Sequence, residues 1–524
     1  MAVPQKYFIG FDLGTSGGRI SIIETSSTAT TRRISSESTA SSPTNDDDDD
    51  NVQYKEVYND SIQYTQYDNP QSWNDAIQTL LTNTPQTYLQ STKAICVSGT
   101  SASCLMVDYT DGGRVTRKPK MYDYDITNQQ STTSVDVDPT AHIQAQEIID
   151  KYVPKDHATR ANTSALSKLL HYHYCQRIDS KKETLVHQSE YVANTMLLSR
   201  QPKKQCGAGM DVNQRIYTSD WHNALKLGYD VRNLCYPKWL CDCLSDLGID
   251  SNVVLPKVVS PGEVIGSISS SCSDKFGIHP NAVVVGGTTD SNAAFIAATS
   301  SSNSGSGMPT YGTAVTSLGS TLAIKMLSRT YVENASQGVY SHRFPVFGHN
   351  QKKSNEDSKP EETEEVEEAW LVGGASNVGC AILRKENFSD EELITLSSEM
   401  DVMVDTKLDY YPLTKRGERF PIADSTKEPI LTPVPESRVE YLKGILQGIT
   451  NVEKKAFEVL GELGSCPSYP DVVWTCGGGS KNDEWIQMRQ RILGDNDDGV
   501  KVMKANNAEA SFGAAVLAAS SFTS

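Results

Sequence analysis

One carboxylate stands where chemistry is often found. It is Asp290, in the stretch Val283-Val-Val-Gly-Gly-Thr-Thr-Asp290-Ser-Asn-Ala-Ala294. Three consecutive valines read as a fully buried strand. Two glycines and two threonines end it, and the small residues after Asp290 suit a packed helix. A carboxylate just past the C-terminal end of a buried strand, beside a Gly turn, is placed for catalysis in α/β proteins. Asp is also a good helix N-cap. The two uses do not exclude each other. A second acid, Asp12, lies in Asp12-Leu-Gly-Thr-Ser-Gly-Gly-Arg19, between the apolar runs Tyr7-Phe-Ile-Gly-Phe and Ile20-Ser-Ile-Ile-Glu24. That is a strand, a tight turn and a strand. Successive N–H groups at Thr15, Ser16 and Gly17 can form an anion nest, and Asp12 can hold a metal ion through water. An ordinary hairpin also fits this pattern. Two further turns offer similar chemistry. Ser317-Leu-Gly-Ser-Thr321 echoes Asp12-Leu-Gly-Thr-Ser16, again between apolar strands. Gly477-Gly-Gly-Ser-Lys-Asn482 joins the strand Asp471–Cys476 to the helix Glu484–Leu493, the arrangement that brings a nucleotide against a helix N-terminus. It is neither a Walker A loop nor a GxGxxG fingerprint.

The elements that must position these residues can be read at the same level. Two similar strand–turn–strand units, far apart in the chain, imply two related domains, each with one phosphate-gripping hairpin. Between them, Ala94–Asp108 reads as a buried strand, then the hydroxyl-rich link Ser98-Gly-Thr-Ser-Ala-Ser103, then a second strand. The link can line a polyol pocket or serve as a polar turn. Met121-Tyr-Asp-Tyr-Asp125 puts two acids close together, on one face if it is a strand. Ser219–Asp230 mixes polar and aromatic residues in the manner of a pocket wall. Leu166–Tyr174, Glu190–Ser199, Arg438–Leu463 and Ala508–Ala519 read as helices, the third stopped by Gly464. His171 and His173, at i and i+2, do not share a helix face, which disfavours a metal pair. Two polar, acidic stretches, 26–54 with the run Asp46–Asp50 and 347–368, read as solvated insertions.

Composition narrows the partners. The chain has 524 residues, enough for two domains, and a net charge of −17. That charge argues against nucleic acid, whose backbone needs clustered Lys and Arg. It leaves an anionic small molecule open, because backbone amides and a metal ion can hold phosphates. The 11 cysteines are odd in number and scattered, as suits reduced thiols. Cys235, Cys241 and Cys243 lack zinc-ligand spacing. No apolar run is long enough to cross a bilayer, and the N-terminus enters a strand without a secretory h-region. The expectation is a cytoplasmic chain; removal of a plastid transit peptide would leave the same sequence.

Taken in order, Gly10-Phe-Asp12-Leu-Gly-Thr-Ser16, Gly286-Gly-Thr-Thr-Asp290, Ser317-Leu-Gly-Ser-Thr321 and Gly477-Gly-Gly-Ser-Lys-Asn482 resemble the FGGY family of carbohydrate kinases, in the actin-like ATPase superfamily. Ser98-Gly-Thr-Ser-Ala102, Gly338–Arg343, Trp370–Asn377, Tyr410-Tyr-Pro-Leu and Gly417-Glu-Arg-Phe-Pro421 look like its plant and cyanobacterial xylulokinase-like branch, associated with D-ribulose phosphorylation. The resemblance implies an α/β clamp of two RNase H-like domains around a central cleft. Residues 1–293 would bind sugar and 294–524 nucleotide. It implies Asp290 as the catalytic base. Sugar would meet Asp12, Ser16, Gly17, Gly18, Arg19, Gly99, Thr100, Ser101 and Asp290. ATP would meet Gly14, Thr15, Ser16, Gly319, Ser320, Thr321, Gly477, Gly478, Gly479 and Asn482. Mg²⁺ would be held by Asp12, through water. The expected activity is phosphoryl transfer from ATP to the primary hydroxyl of a five-carbon ketose, D-ribulose before D-xylulose, by a monomer or homodimer. An ATP- and sugar-binding sensor with little turnover is the rival reading. The family's aromatic-x-Asp-x-Arg and Gln-x-His-Gly sugar motifs are not matched at Met121–Asp125 and Thr100–Ser103, which leaves the sugar open.

Overall fold

The structure is a computed structural model and describes residues 5–27, 52–128, 139–198, 217–300, 308–346, 368–494 and 499–522. Two sheets carry the architecture. The first is seven-stranded, in the order Val264–Ser267, Val283–Val285, Thr92–Gly99, Tyr7–Leu13, Gly17–Ser27, Val52–Gln63, with the short Thr288–Thr289 also paired to Thr92–Gly99. The second is six-stranded, in the order Tyr340–Phe344, Ala369–Ser376, Leu322–Ser328, Thr313–Leu318, Val472–Cys476, Lys501–Lys504.

The two sheets share one plan. In each, an opening hairpin is antiparallel and a third strand extends it: Tyr7–Leu13 with Gly17–Ser27 and Val52–Gln63, and Thr313–Leu318 with Leu322–Ser328 and Ala369–Ser376. On the other side, the first hairpin strand is parallel to Thr92–Gly99 in one sheet and Val472–Cys476 in the other. A further parallel strand follows each, Val283–Val285 and Lys501–Lys504. The echo between the two hairpins in the sequence is thus an echo between two sheets. Their central strands are apolar because both faces are covered; every residue of Tyr7–Leu13 is buried.

Two helices of small residues, Asp290–Ser300 and Ala510–Ser520, fill the space between the sheets. Their cluster joins Phe8 and Cys96 of the first sheet to Val315 and Trp474 of the second. The backbones meet closely. A Cβ on Gly513 would lie 1.8 Å from the Ala293 carbonyl oxygen, and one on Gly10 would lie 2.0 Å from that of Ser511. The last helix of the chain therefore packs onto the strand that begins it, and Ser21 and Ser511 share a buried hydrogen bond of 2.8 Å.

Several sequence expectations are corrected. The first insertion is shorter than 26–54, because Ser26 and Ser27 pair with Gln53 and Val52 as the arms of a long hairpin. Backbone pairing offsets their polar composition. Of the second insertion, 347–368, only Glu368 lies within the described residues. Met121–Asp125 takes the turn alternative, as expected for at least one of its acids; Asp125 accepts from the Thr127 amide at 2.8 Å and its hydroxyl at 2.6 Å. The helix expected at Glu190–Ser199 starts at Gln188 and continues from Ala193 to Leu197 as a wider π-turn, with Ser199 outside the described residues. Arg438–Glu462 is helical as expected, and Gly464 follows with φ +98°.

Candidate functional site

The site begins with strand register. Asp12 is opposite Arg19 on one side and Ser98 on the other, and Ser98 is opposite Thr288. Lateral neighbours share a sheet face, so Arg19, Asp12, Ser98 and Thr288 form one row. Asp12 is buried and accepts from Ser98 Oγ at 3.0 Å and from Arg19 Nη1 at 3.1 Å. Burial pushes its carboxyl up to about 6, with Asp290 the next cause, while Ser98 and Arg19 pull the other way. The charge of Asp290, distant in sequence, thus reaches Asp12 and opposes its ionisation.

Asp290 is the first residue of its helix, and its Oδ1 accepts from the Ser291 amide at 2.7 Å. Its carboxyl is raised, mainly by burial, against the pull of the Ser291 amide, Lys325 and Lys226. Lys325 stands on the second sheet's hairpin. Its ammonium donates to Ser291 Oγ at 2.7 Å, Asn292 Oδ1 at 2.9 Å and the Ser291 carbonyl at 3.2 Å. Lys226 follows the short helix Trp221–Leu225, and its ammonium is lowered by burial against the opposing charge of Asp290. Tyr64 joins the group: its hydroxyl is buried without a partner, and burial, then Asp12, raise it well above its ordinary value.

The wall expected at Ser98–Ser103 is partly turned inward. Thr100 is buried and donates its amide, at 3.2 Å, and its hydroxyl, at 2.9 Å, to Gln188 Oε1. Its side chain thus shapes the loop, and what the loop can offer a ligand is the backbone near Gly99 and the half-buried Ser101. Lys168 holds this loop to the next, donating to the carbonyls of Ala102 at 2.9 Å and Met121 at 2.7 Å. In the first hairpin turn Gly14 donates to the Gly17 carbonyl at 3.0 Å, Gly18 is buried, and Thr15 and Ser16 are exposed at the tip.

The second turn, Gly319–Thr321, is braced from behind. Cys380 donates its amide to the Gly319 carbonyl at 2.8 Å, and Leu322 donates to Val378 at 2.6 Å. Ser320 and Thr321 stay exposed. The triple-glycine turn packs directly on it. Gly477 has φ +84°, and a Cβ there would lie 2.8 Å from the Leu318 carbonyl oxygen. Gly478 has nothing within 4 Å of the same position, so its backbone is open to a ligand. Asn482 caps the following helix through Trp485 N at 2.9 Å and donates to Ser397 Oγ at 2.7 Å. Its amide is used at both ends to hold this turn in place.

Lys325, Lys226, Lys168, Gln188 and Tyr64 were not singled out from sequence. For two of them a signal existed: a lysine inside an apolar run, in Leu322-Ala-Ile-Lys-Met-Leu327 and Leu166-Ser-Lys-Leu-Leu170, wants a buried partner.

Comparison with known proteins places this geometry. Residues 315–522 match the C-terminal domain of the FGGY family of carbohydrate kinases. That part of the chain is similar to an FGGY C-terminal domain. Xylulose kinase of Bacillus subtilis (strain 168) is 26% identical over 290 residues, 54% of this chain and 50% of that protein. The match thus spans about half the length of this curated relative. Among solved structures, xylulose kinase from Rhodospirillum rubrum aligns with TM-score 0.66 at 16% identity, over 98% of this chain and 89% of the other. Plasmodium falciparum glycerol kinase with ADP aligns with TM-score 0.67 at 13% identity, over 98% and 89%. The two sheets and the helices between them share the fold of these solved sugar kinases, and residues 315–522 are the part that matches the FGGY C-terminal domain. Among the described residues no helix is long and apolar enough to cross a membrane.

The Asp12 environment carries a stability signature. Its carboxyl in the folded protein lies near 6, above the ordinary 3.8, so ionising it costs stability. The cost is absent below about pH 4, grows toward pH 6 and is full above it. Asp12→Asn keeps an acceptor for Arg19 and a donor toward Ser98. It is expected to raise the Tm of the ligand-free protein at pH 8 by roughly a few degrees, with the gain vanishing near pH 4. Thermal scans at the two pH values check this; an equal effect at both would deny that burial and Asp290 raise this carboxyl.

Proposed function

We propose that the protein is an ATP-dependent sugar kinase that phosphorylates the primary hydroxyl of a five-carbon ketose, with D-ribulose preferred. The observation that carries the reading is Asp290. It is a carboxylate raised by burial at the end of a strand, its charge felt by a second acid, Asp12, and the first turn of its helix is tied through Lys325 to the hairpin that holds Gly319–Thr321. A general base needs reach to the hydroxyl and a proton affinity above that of a free carboxylate, and this environment favours both.

The roles divide as follows. Sugar lies against Asp12, Ser16–Arg19, the backbone of Gly99–Ser101, and Asp290. ATP phosphates lie on the exposed amides and hydroxyls of Gly14–Ser16 and Gly319–Thr321, and the adenosine along Gly477–Gly479, held in place by Asn482. Phosphoryl transfer needs in-line positioning and charge neutralisation more than covalent help. Asp290 takes the hydroxyl proton as the phosphoryl group arrives. Arg19, paired to Asp12, is placed to meet negative charge at the first hairpin. Residues 1–293 serve the sugar and 294–524 the nucleotide, with the last helix packed back on the first sheet. Closure of the two domains excludes water that would otherwise consume ATP.

The residues present fit a magnesium ion. The charge of Asp290 opposes that of Asp12, which a cation would relieve, and no cluster of three metal-ligating side chains is found among the described residues. Mg²⁺ bound with ATP asks for no more, since it takes one or two carboxylates, several waters and the phosphates. Asp12 would hold it through water, and it would neutralise the charge of the transferring phosphate.

The ketose is proposed from the branch-like stretches Tyr410–Leu413 and Gly417–Pro421. The relative named xylulose kinase supports D-xylulose as the second candidate. A panel of D-ribulose, D-xylulose, L-ribulose, glycerol and gluconate, scored by coupled ADP release, tests the reading. The expected outcome is the highest kcat/KM with D-ribulose. Binding of ATP and sugar without sugar-stimulated ADP release would make the protein a sensor instead.

A further inference from the structure

Lys325 is the least expected charge in the molecule. It sits in an apolar strand, and its partners are all on the first turn of the helix that starts at Asp290. An ammonium has three donors, and here three oxygens receive them: Ser291 Oγ, Asn292 Oδ1 and the Ser291 carbonyl. The cost of this arrangement is visible nearby. Asn292 is fully buried, and with its oxygen turned to Lys325 its Nδ2 is left without a partner. An orphaned amide N–H is unfavourable and persists only where something else outweighs it.

The position of Lys325 along its strand gives it a use. It lies four residues beyond Thr321, on the strand that descends from the Gly319–Thr321 turn, so one rigid element carries both. A strand rises about 3.3 Å per residue, which separates turn and lysine by roughly 13 Å. The same strand is paired on both sides, to Thr313–Leu318 and Ala369–Ser376, and does not bend independently. Whatever fixes the turn also fixes the ammonium against the Asp290 helix.

We propose that Lys325 is a positioning residue for Asp290: it locks the first turn of the Asp290 helix to the second hairpin and supplies the positive charge opposite the carboxylate. The groups facing it are consistent with that task. Asp290 is the acid near it. Lys226 is a second cation on the same side, and His222 and His342 are buried imidazoles held neutral, first by burial. The Cys476 thiol completes the set. His222 spends its two nitrogens on Thr288 Oγ1 at 2.6 Å and the Arg343 carbonyl at 2.7 Å. That leaves Lys325 and Lys226 as the charges that oppose Asp290. The inference deepens the kinase reading and rests on it for its catalytic arm only.

Two measurements test it. In turnover with ATP and the best ketose, Lys325→Met is expected to lower kcat roughly tenfold or more, with KM for both substrates within about twofold of wild type. Lys325→Arg, which keeps the charge, recovers most of the loss, and Lys325→Gln does not. A merely structural lysine would move KM and kcat together or ignore charge. The second measurement needs no activity. In a double-mutant cycle read by thermal unfolding, Lys325→Met should lower Tm more in the wild type than in the Asp290→Asn background. Equal shifts in the two backgrounds overturn the proposal, as does a folded Lys325→Gln with wild-type kcat. If no sugar stimulates wild-type ADP release, the kinase reading fails while the cycle still decides the Lys325–Asp290 coupling.

Discussion

Asp290→Asn is expected to lower ketose-dependent ADP formation by about a hundredfold or more while leaving the protein folded. Asparagine is nearly isosteric, and its Oδ1 can still accept the Ser291 amide that Asp290 accepts at 2.7 Å. The helix start is therefore preserved. Removing a carboxylate that burial disfavours and that repels Asp12 also lifts a cost from the ligand-free protein. What asparagine cannot do is take a proton. Asp290 is the first helical residue and accepts only from the next amide, so the cap expected from sequence is not formed; loss of turnover with unchanged or higher Tm would separate the base from a purely structural role. KM for the ketose is expected to change little, since the amide can still hydrogen-bond a hydroxyl. Unchanged turnover would remove Asp290 from catalysis and with it the central claim of the proposed function.

The second large effect lies beneath the Gly477–Gly479 turn. Arg489 and Glu453 form a fully buried pair, with Nε to Oε2 at 2.7 Å and Nη2 to Oε1 at 2.6 Å. Thr316 Oγ1 donates to Glu453 at 2.6 Å, and Arg489 Nη1 donates to Thr475 Oγ1 at 2.6 Å. Thr316 and Thr475 are register partners on adjacent strands, so the pair fastens two helices to two strands at one point. Arg489→Met leaves a buried carboxylate with neither its charge partner nor two of its hydrogen bonds. A loss of about 3–5 kcal/mol is expected, read as a lower urea midpoint. Arg489→Lys should recover little of it, because one ammonium cannot reproduce the planar two-point grip. Replacing both partners, Glu453→Leu with Arg489→Met, should cost less than the single change, since no unpaired charge is left inside. A single-variant loss below about 1 kcal/mol would mean that the pair adds nothing to the packing around it.

Much of this was legible before the structure. The glycine-rich turns were legible from composition; at Gly477 the backbone itself demands the residue, with φ +84°, and that demand is local. The valines before Asp290 announced a buried strand, and the repeated hairpin announced a repeated sheet. The insertion boundaries were read less well. Ser26, Ser27, Val52 and Gln53 look solvated by composition but are paired, because strand pairing satisfies backbone groups regardless of side-chain polarity. Thr100 looked like a ligand contact, yet its hydroxyl is taken by Gln188, which no spacing rule connects to it.

The sequence by itself determined the chemistry available: two acids at strand ends, three turns that expose backbone N–H groups, and two sheets of one design. These follow from short-range patterns, in which neighbouring residues constrain one another through φ, ψ and alternation. Only the tertiary structure decided which charges meet. The charge of Asp290 acts on Asp12, Lys325 reaches Ser291 and Asn292, and the last described helix returns to the first strand, because strands and helices from distant parts of the chain come into register. The pKa of Asp290 depends on those meetings, since burial and neighbouring charge act through space and are indifferent to separation along the chain.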